Sequence, residues 1–311
     1  MSAGGVDSGG LGAGHGFGVA GRAPNARRYT PQPAGWSGGR LRIAALSDLH
    51  AARPWMTVER VAGIVAAANA LEPDLIVLLG DYLATQRLQG RLYAMQDIAP
   101  TLSGLRAPMG AWAVLGNHDW RFTERERKAG RGAEAIARAL RDAGITVLEN
   151  EARRLVTATG ARVWLAGLGC QLAHTPDRGK RRDWRGVDDL PATLAQVDDD
   201  APVILLAHEP DIFATAPPRV TLTLSGHTHG GQVRLFGRAW VVPSRHGRRY
   251  AWGHIVEDGR HLVVSGGLGC SGIPLRLGVP PEITVIDLVD PARTAADPGG
   301  RPDAARGSQI A

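Results

Sequence analysis

Five short blocks of metal-binding residue types occur in order along the chain. They are Asp48-Leu49-His50, Gly80-Asp81, Gly116-Asn117-His118-Asp119, His208 and Gly226-His227-Thr228-His229. Carboxylate, amide and imidazole ligands in this mixture suit a pair of borderline divalent metals such as Mn, Fe or Zn. Two such ions side by side can clamp a phosphate ester for in-line attack. The blocks therefore predict a two-metal site suited to phosphoester chemistry.

Each block follows an apolar segment that is typical of a buried strand: residues 41–46, 75–79, 111–115, 203–207 and 220–224. In open α/β sheets, ligands collect at the carboxyl ends of strands. Five strand ends are therefore expected to deliver polar groups to one rim. Where the chain stays extended, side chains two residues apart point to the same side. This would aim Asp48 with His50, and His227 with His229, into one site.

The predicted ligands divide between two ions. One ion would be held by Asp48, His50 and His229, and the other by Asn117, His208 and His227. Asp81 would bridge them, because a carboxylate has two oxygens and can serve both ions. Any one of these residues alone is more often a core histidine or a helix cap. The complete set in this order is what predicts a site.

The pattern between the blocks predicts one α/β (α+β) domain over residues 39–290. The first half alternates strands with helices at 58–68, capped by Thr57, at 90–102 and at 133–142. The second half is rich in strands, with hairpin turns at Thr159-Gly160 and Asp258-Gly259, a short helix at 190–196 and a closing strand at 283–288. Two sheets packed face to face with helices outside fit this order. Residues 1–38 and 291–311 are rich in small residues and Pro, which predicts a disordered arm and a disordered tail.

The composition says less about the class of protein than the motifs do. The chain has 311 residues, of which 44% are hydrophobic, and 36 basic residues against 30 acidic ones. This balance favours anionic partners, namely phosphorylated substrates, anionic lipid surfaces or nucleic acid. The Arg-rich composition that a GC-rich genome produces is nevertheless the preferred explanation of the global charge. The two cysteines, Cys170 and Cys270, lack metal-type spacing and fit a reducing compartment. No apolar run approaches the roughly 20 residues that span a bilayer, so a cytoplasmic protein with peripheral membrane contact left open is expected.

The series D-x-H, G-D, G-N-H-D/E, H and G-H-x-H resembles the calcineurin-like metallophosphoesterase superfamily. Pro210-Asp211-Ile212-Phe213 and Gly230-Gly231-Gln232 are similar to a bacterial subfamily of phosphodiesterase-type enzymes and a UDP-2,3-diacylglucosamine pyrophosphatase. The resemblance covers about residues 41–288. It implies a four-layer αββα sandwich of two mixed sheets, two divalent metal ions and attack by a metal-bridging hydroxide. One departure is Ala51-Ala52-Arg53 after the first block, where relatives often have Gly.

The catalytic prediction concerns His118 and Asp119. His118 would protonate the leaving group or stabilise its developing charge, a role worth roughly 10²–10⁴-fold. Asp119 would either fix the tautomer of His118 through a hydrogen bond or cap the helix that follows. Both interpretations of Asp119 stay open at this point.

The substrate is predicted only as a nucleotide-linked or lipid-linked phosphate ester, and nucleic acid is disfavoured. Candidate anion contacts, each of which is more simply a solvated charge, are Arg53, Arg121, Arg245, Arg248 and Arg276. Candidate stacking or lipid-groove residues are Trp55, Trp120 and Trp240, with at least one expected in the core. Three arm arginines, Arg22, Arg27 and Arg28, could touch anionic lipid but are few for stable attachment. The alternatives are a nuclease and a non-catalytic metal-binding scaffold of the same fold.

Overall fold

The computed structural model describes residues 20–85, 90–121, 132–174 and 185–290. Within these ranges the strands are β1 (Asn25–Tyr29), β2 (Leu41–Leu46), β3 (Ala52–Pro54), β4 (Leu75–Leu78), β5 (Gly90–Leu92), β6 (Ala111–Ala113), β7 (Thr146–Val147), β8 (Glu151–Val156), β9 (Arg162–Gly167), β10 (Val203–Leu206), β11 (Val220–Ser225), β12 (Arg234–Leu235), β13 (Arg238–Ala239), β14 (Gly253–Glu257), β15 (Arg260–Val264) and β16 (Glu282–Leu288). The helices are α1 (Val58–Asn69), α2 (Met95–Leu102), α3 (Asn117–Trp120), α4 (Ala133–Asp142) and α5 (Leu190–Leu194).

Two six-stranded mixed sheets form the framework. The first has the order β1-β16-β2-β4-β6-β7 and the second β14-β15-β11-β10-β9-β8. In the first sheet β2, β4 and β6 run parallel, and in the second β9, β10 and β11 run parallel. The strands that precede the five polar blocks are therefore the central parallel strands of the two sheets.

The main core lies between the two sheets. Alternate residues of β2 and β4 point inward, where they meet the inner faces of β9, β10, β11 and β15. The inward set includes Ile43, Leu75, Val77, Leu165, Ile204, Leu206, Leu222, Leu224 and Val263. The other residues of β2 and β4 face outward, as the period-two geometry of strands requires. Both faces of the central strands are buried, which explains why their sequences are continuously apolar.

Helices cover the outer faces. Val61 and Ile64 of α1, Ile98 of α2 and Ile136 of α4 pack against the first sheet. The second sheet is covered more thinly by α5 and by a 3₁₀ turn at Pro210–Ala214. The four-layer αββα sandwich predicted from the sequence is thus confirmed. The predicted cap of α1 is confirmed as well, since the Thr57 hydroxyl accepts a hydrogen bond from the Arg60 amide at 3.3 Å.

Two local predictions are wrong. Residues 25–29, expected in a disordered arm, form β1, which pairs in parallel with β16 at the edge of the first sheet. The segment expected to be helical from residue 90 begins as β5, which pairs with β3. The helix begins only at Met95, where the Asp97 carboxylate accepts a hydrogen bond from the Ala94 amide. Tertiary pairing overrides local propensity in both cases. Residues 1–19 and 291–311, expected to be disordered, lie outside the described residues.

None of the helices within the described ranges combines the length and the apolar character that crossing a bilayer requires.

Candidate metal centre

The five polar blocks meet where the central strands of both sheets end. The first sheet delivers Asp48, Asp81 and Asn117 after β2, β4 and β6, and the second delivers His208 and His227 after β10 and β11. His50 and His229 follow two residues beyond the first and last of these positions. All seven side chains are buried. The burial of several carboxylate and imidazole groups close together requires charge compensation.

One donor group lies between the end of β2 and the end of β11. The Nε2 atoms of His50 and His229 lie 3.0 Å apart, and His229 Nε2 is 3.3 Å from Asp48 Oδ1. The Asp48 carboxylate is itself held by the Ser47 hydroxyl and by the His227 amide at 3.1 Å. These three side chains are those predicted to bind one ion, and the partition itself stays a prediction.

A second donor group is centred on Asn117. Its Oδ1 atom lies 2.9 Å from His227 Nδ1 and 3.2 Å from His208 Nε2. The far nitrogens of both rings meet backbone carbonyls, since His227 Nε2 lies 2.7 Å from Pro243 O and His208 Nδ1 lies 2.6 Å from Leu79 O. Because a carbonyl only accepts, these far nitrogens donate.

Asp81 lies between the two groups. Its Oδ2 atom is 3.2 Å from His208 Nε2 and 3.5 Å from His50 Nε2. Its Oδ1 atom accepts a hydrogen bond from the His118 amide at 2.8 Å. A single oxygen therefore faces both groups, whereas the sequence argument assigned one oxygen to each ion. The other oxygen anchors the backbone of the third block.

The donor set fits divalent cations. With its far nitrogen donating, the neutral His227 ring presents the lone pair of Nδ1 to the Asn117 oxygen. Burial lowers the pKa of His50 and of His227 to about 3, which keeps both rings in the neutral form that metal ligation needs. Lone pairs that face an oxygen at hydrogen-bonding distance repel each other unless a cation lies between them.

The buried carboxylates and His208 also need a neighbouring opposite charge. Burial raises the pKa of Asp48 to about 6, the charge on His208 opposing that shift. Burial alone would lower the pKa of His208, but the adjacent Asp81 carboxylate raises it well above its usual value. A proton on His208 thus supplies the positive charge that a metal cation supplies when it binds.

The backbone at the ligands is not extended, contrary to the expectation from the sequence. Asp48, His50, His227 and His229 have φ values of 56°, 44°, 68° and 52°. Asp81 is also left-handed, with φ 58°. Non-glycine residues in this region are uncommon and cluster at functional sites. Each pair reaches the same site through tight turns of the loop rather than through the pleat of a strand.

Two glycines allow the loops to approach each other. A Cβ atom on Gly116 would lie 2.7 Å from both the Asp81 amide nitrogen and His208 Cε1. A Cβ atom on Gly226 would lie 2.5 Å from Asp48 Oδ2. Real side chains essentially never make such contacts, so glycine at these positions is required by the closeness of the ligand loops.

His118 and Asp119 have different surroundings. His118 is buried, and its Nδ1 atom lies 2.6 Å from the Thr85 hydroxyl. The Asp119 carboxylate accepts hydrogen bonds from the amides of Gly116 and Asp81, both at 2.8 Å, and of Tyr82 at 3.0 Å. These contacts tie the third block to the loop after β4 and differ from the predicted cap of a following helix, while the predicted action of Asp119 on His118 stays a prediction. Thr85, which the sequence argument did not identify, occupies the position beside His118 Nδ1.

Arg276 is the largest departure from the sequence argument, which treated it as a solvated charge. It is fully buried. Its guanidinium donates to the carbonyls of Gly269 at 2.7 Å, Gly266 at 2.9 Å and Val279 at 3.2 Å, and its Nη2 atom lies 3.2 Å from His229 Nδ1. The cation thus connects the loop after β15 to a candidate ligand. Only the tertiary structure reveals this contact, because no local pattern marks a buried arginine.

The other candidate substrate residues lie outside this cluster. Arg53 is exposed and donates to the Tyr93 hydroxyl at 2.7 Å. Arg245 and Arg248 are exposed, and Arg121 is partly buried. Trp55 and Trp120 are partly buried, whereas Trp240 has 78% of its surface exposed. Trp120 packs against the buried cluster of Cys170, Leu172 and Ala173, so the expectation that at least one of the three tryptophans is a core residue is met in part.

Comparison with known proteins defines the family. Residues 41–231 match the model of the calcineurin-like phosphoesterase family. The chain is 32% identical over 257 residues to an uncharacterized metallophosphoesterase, YkuE, of Bacillus subtilis, with 82% of this chain and 81% of the relative covered. It is 33% identical over 255 residues to the phosphodiesterase YaeI of Escherichia coli, with 80% and 82% covered. The solved structure of a dimetal phosphatase from Danio rerio aligns with TM-score 0.38 and 13% identity over 73% of this chain and 87% of that one. The chain belongs to the calcineurin-like phosphoesterase family, which implies a metal-dependent phosphoester hydrolase with a dinuclear divalent metal centre.

Proposed function

We propose that this protein is a phosphodiesterase or pyrophosphatase that hydrolyses a nucleotide-linked or lipid-linked phosphate ester. The observation that carries the proposal is the arrangement of two buried nitrogen and oxygen donor groups around one oxygen of Asp81. Two divalent ions bound there would supply an activated water and neutralise the phosphoryl oxygens. The phosphodiesterase name of the Escherichia coli relative supports a diester substrate.

The ligands would divide as the sequence predicts. Asp48, His50 and His229 would hold one ion, and Asn117, His208 and His227 the other, with Asp81 shared. The carbonyls of Leu79 and Pro243 orient His208 and His227 by accepting their far N–H groups. Such partners fix the tautomer and raise the basicity of a ligand ring.

His118 is the residue we assign to the leaving group. Its backbone is anchored to Asp81 and its ring packs edge-on against His50, with ring centroids 4.8 Å apart. The ring therefore lies beside the shared carboxylate, where the scissile bond would be held. The contact of Nδ1 with Thr85 fixes the orientation of the ring. The protonated ring would pass the proton on its Nε2 atom to the departing oxygen and become a neutral imidazole.

The test compares a diester with a monoester. The Mn-loaded full chain is expected to hydrolyse bis-p-nitrophenyl phosphate faster than p-nitrophenyl phosphate. Asp81→Asn should abolish both activities, whereas Asp258→Asn, at an exposed hairpin turn, should retain them. The rates of hydrolysis of nucleoside-diphosphate-linked lipids and of simple diesters are then compared. This comparison distinguishes pyrophosphatase activity from phosphodiesterase activity.

Two results would contradict the proposal. Faster hydrolysis of the monoester would assign a phosphomonoesterase. Stoichiometric metal binding that disappears in Asp81→Asn, without turnover of any ester, would favour the scaffold alternative.

A further inference from the structure

An exposed apolar hairpin lies directly after the last metal-ligand block. It consists of β12, a two-residue turn and β13, and is followed by Trp240 and Val241. Phe236 is fully exposed, and Trp240 and Val241 are 78% and 77% exposed. Half of the large apolar residues that are exposed among the described ranges fall within residues 235–241. Such concentrations on a surface mark interaction sites.

The sequence of the turn in this hairpin is unfavourable for the backbone conformation that the turn adopts. Phe236 and Gly237 are its central residues, with φ values of 50° and 74°. A two-residue turn with both φ values positive prefers Asn or Gly at its first position. Phe at this position combines backbone strain with complete exposure of an aromatic ring. Strain of this kind that packing does not explain points to a function of the side chain.

The surface around the hairpin is cationic. Residues 234–248 contain four arginines and no acidic residue, and the Asp211 carboxylate accepts hydrogen bonds from the Ser244 hydroxyl and the Arg245 amide near the end of this segment. Arg238 and Arg248 are exposed and, together with Trp240, line an open pocket of about 550 Å³. A pocket with two guanidinium groups and an indole ring could receive the phosphate and the first carbons of a lipid headgroup.

The hairpin is also connected to the metal centre. Arg234 Nη1 donates to the Gly230 carbonyl at 3.1 Å, next to His229. The segment after β13 returns to the centre, where the Pro243 carbonyl accepts from His227 Nε2 at 2.7 Å. A surface that engages the hairpin is therefore held beside the candidate active site.

We propose that residues 234–248 form a docking surface for an anionic phospholipid bilayer. Phe236 and Trp240 insert at the interface between headgroups and acyl chains, and Arg238 and Arg248 bind lipid phosphates. Apolar and aromatic residues beside arginines are the combination that binds such an interface. A second copy of this chain is a poorer occupant, because an isologous contact would bring two cationic surfaces together. The proposal concerns binding and is independent of which ester the centre hydrolyses.

The test measures co-sedimentation of the full chain with vesicles. Binding is expected to vesicles of phosphatidylcholine with 30% phosphatidylglycerol and to be much weaker with pure phosphatidylcholine. The double variant Phe236→Asn/Trp240→Ser should lower binding by at least about tenfold. Because Asn suits the left-handed turn, the thermal midpoint of this double variant should equal or exceed that of the wild type. An unchanged midpoint separates loss of membrane binding from loss of folding. Arg238→Gln/Arg248→Gln should remove the preference for phosphatidylglycerol.

A matched control changes residues outside the docking surface. Val256→Ser/Arg154→Gln changes an exposed valine and an exposed arginine elsewhere on the surface and should bind as the wild type does. Asp81→Asn should also bind vesicles normally, which separates this proposal from the proposed activity. Absence of binding by the wild type, or equal binding by Phe236→Asn/Trp240→Ser, would overturn the proposal. A concentration-dependent dimer lost in that variant would instead assign the surface to a second copy of the chain.

Discussion

Single residues in the third block have separate tasks although they are neighbours in sequence. Asn117 faces the candidate ligands His208 and His227, His118 lies beside Thr85 and Asp81, and Asp119 accepts three backbone amides. The short helix α3 turns the three side chains in different directions. Residue type and spacing predicted a site here, but the task of each residue depends on the direction in which the helix points it.

The role of His118 can be tested through the leaving group. His118→Asn should lower kcat by about 10²–10⁴-fold for a diester with an alkoxide leaving group. The loss should be much smaller with p-nitrophenolate, which departs without a proton. Metal content should remain that of the wild type, and His246→Asn, outside the donor cluster, provides the control. Equal losses with both leaving groups would exclude proton donation by His118.

Arg276 is expected to matter for stability more than its position in the sequence suggests. Arg276→Met leaves buried carbonyl acceptors of Gly266, Gly269 and Val279 without their donor, and each unsatisfied group costs about 1–3 kcal/mol. We expect the free energy of unfolding in urea, measured with chelator present, to fall by about 3 kcal/mol or more. Arg276→Lys should recover part of this loss. An unchanged urea midpoint for Arg276→Met would contradict the assignment.

At the scale of elements, the loops that follow the central strands approach one another closely. A Cβ atom on Gly116, which ends the loop after β6, would clash with the backbone of Asp81 and the ring of His208. Its backbone has φ −102°, which any residue adopts. The requirement for glycine is therefore purely steric.

Gly116→Ala should consequently displace ligands without preventing folding. We expect metal affinity, measured by calorimetry, to fall by about 10–100-fold, as when groups that orient ligands are lost. Gly63→Ala is the matched control, because Gly63 lies in α1 and a Cβ there meets nothing within 4 Å. That variant should keep its metal and gain about 1 kcal/mol of stability, the difference in helix propensity. Equal metal affinity in both variants would contradict the steric argument.

At the scale of the whole molecule, the candidate centre joins the two sheets. Asp48, Asp81 and Asn117 come from the first sheet, and His208 and His227 come from the second. Two bound metal ions would therefore crosslink the two sheets at one end of the sandwich. The native state alone provides this geometry, so binding must stabilise it.

Removal of metal should lower the thermal midpoint substantially. Ligand present at 1,000 times its Kd stabilises the native state by about 4 kcal/mol, which corresponds to a shift of about 10 °C for a domain of this size. Scanning calorimetry with and without chelator measures the difference. In Asp81→Asn the difference should largely disappear. A shift of the same size in that variant would show that the metal acts elsewhere.

Much of the fold could be predicted because its signals are local. The central strands are continuously apolar and end in Gly or polar residues, Thr57 caps α1, and the hairpin of β8 and β9 has its turn at Thr159-Gly160. Where a segment depends on a distant partner, prediction from sequence was wrong. The polar strand β1 exists because β16 offers it a free edge, and β5 exists because β3 lies beside it.

The sequence by itself determined which residues lie at the carboxyl ends of the central strands, where polar residues that follow neighbouring parallel strands come together. It also determined the family, through the order and spacing of those residues. Only the tertiary structure decided how they meet. The left-handed backbone of the ligands, the use of a single Asp81 oxygen, the burial of Arg276 and the exposed hairpin at Phe236 all depend on contacts between residues far apart in the chain. Such contacts leave no periodic trace in a sequence, since their geometry is set by how two sheets pack and not by any one strand.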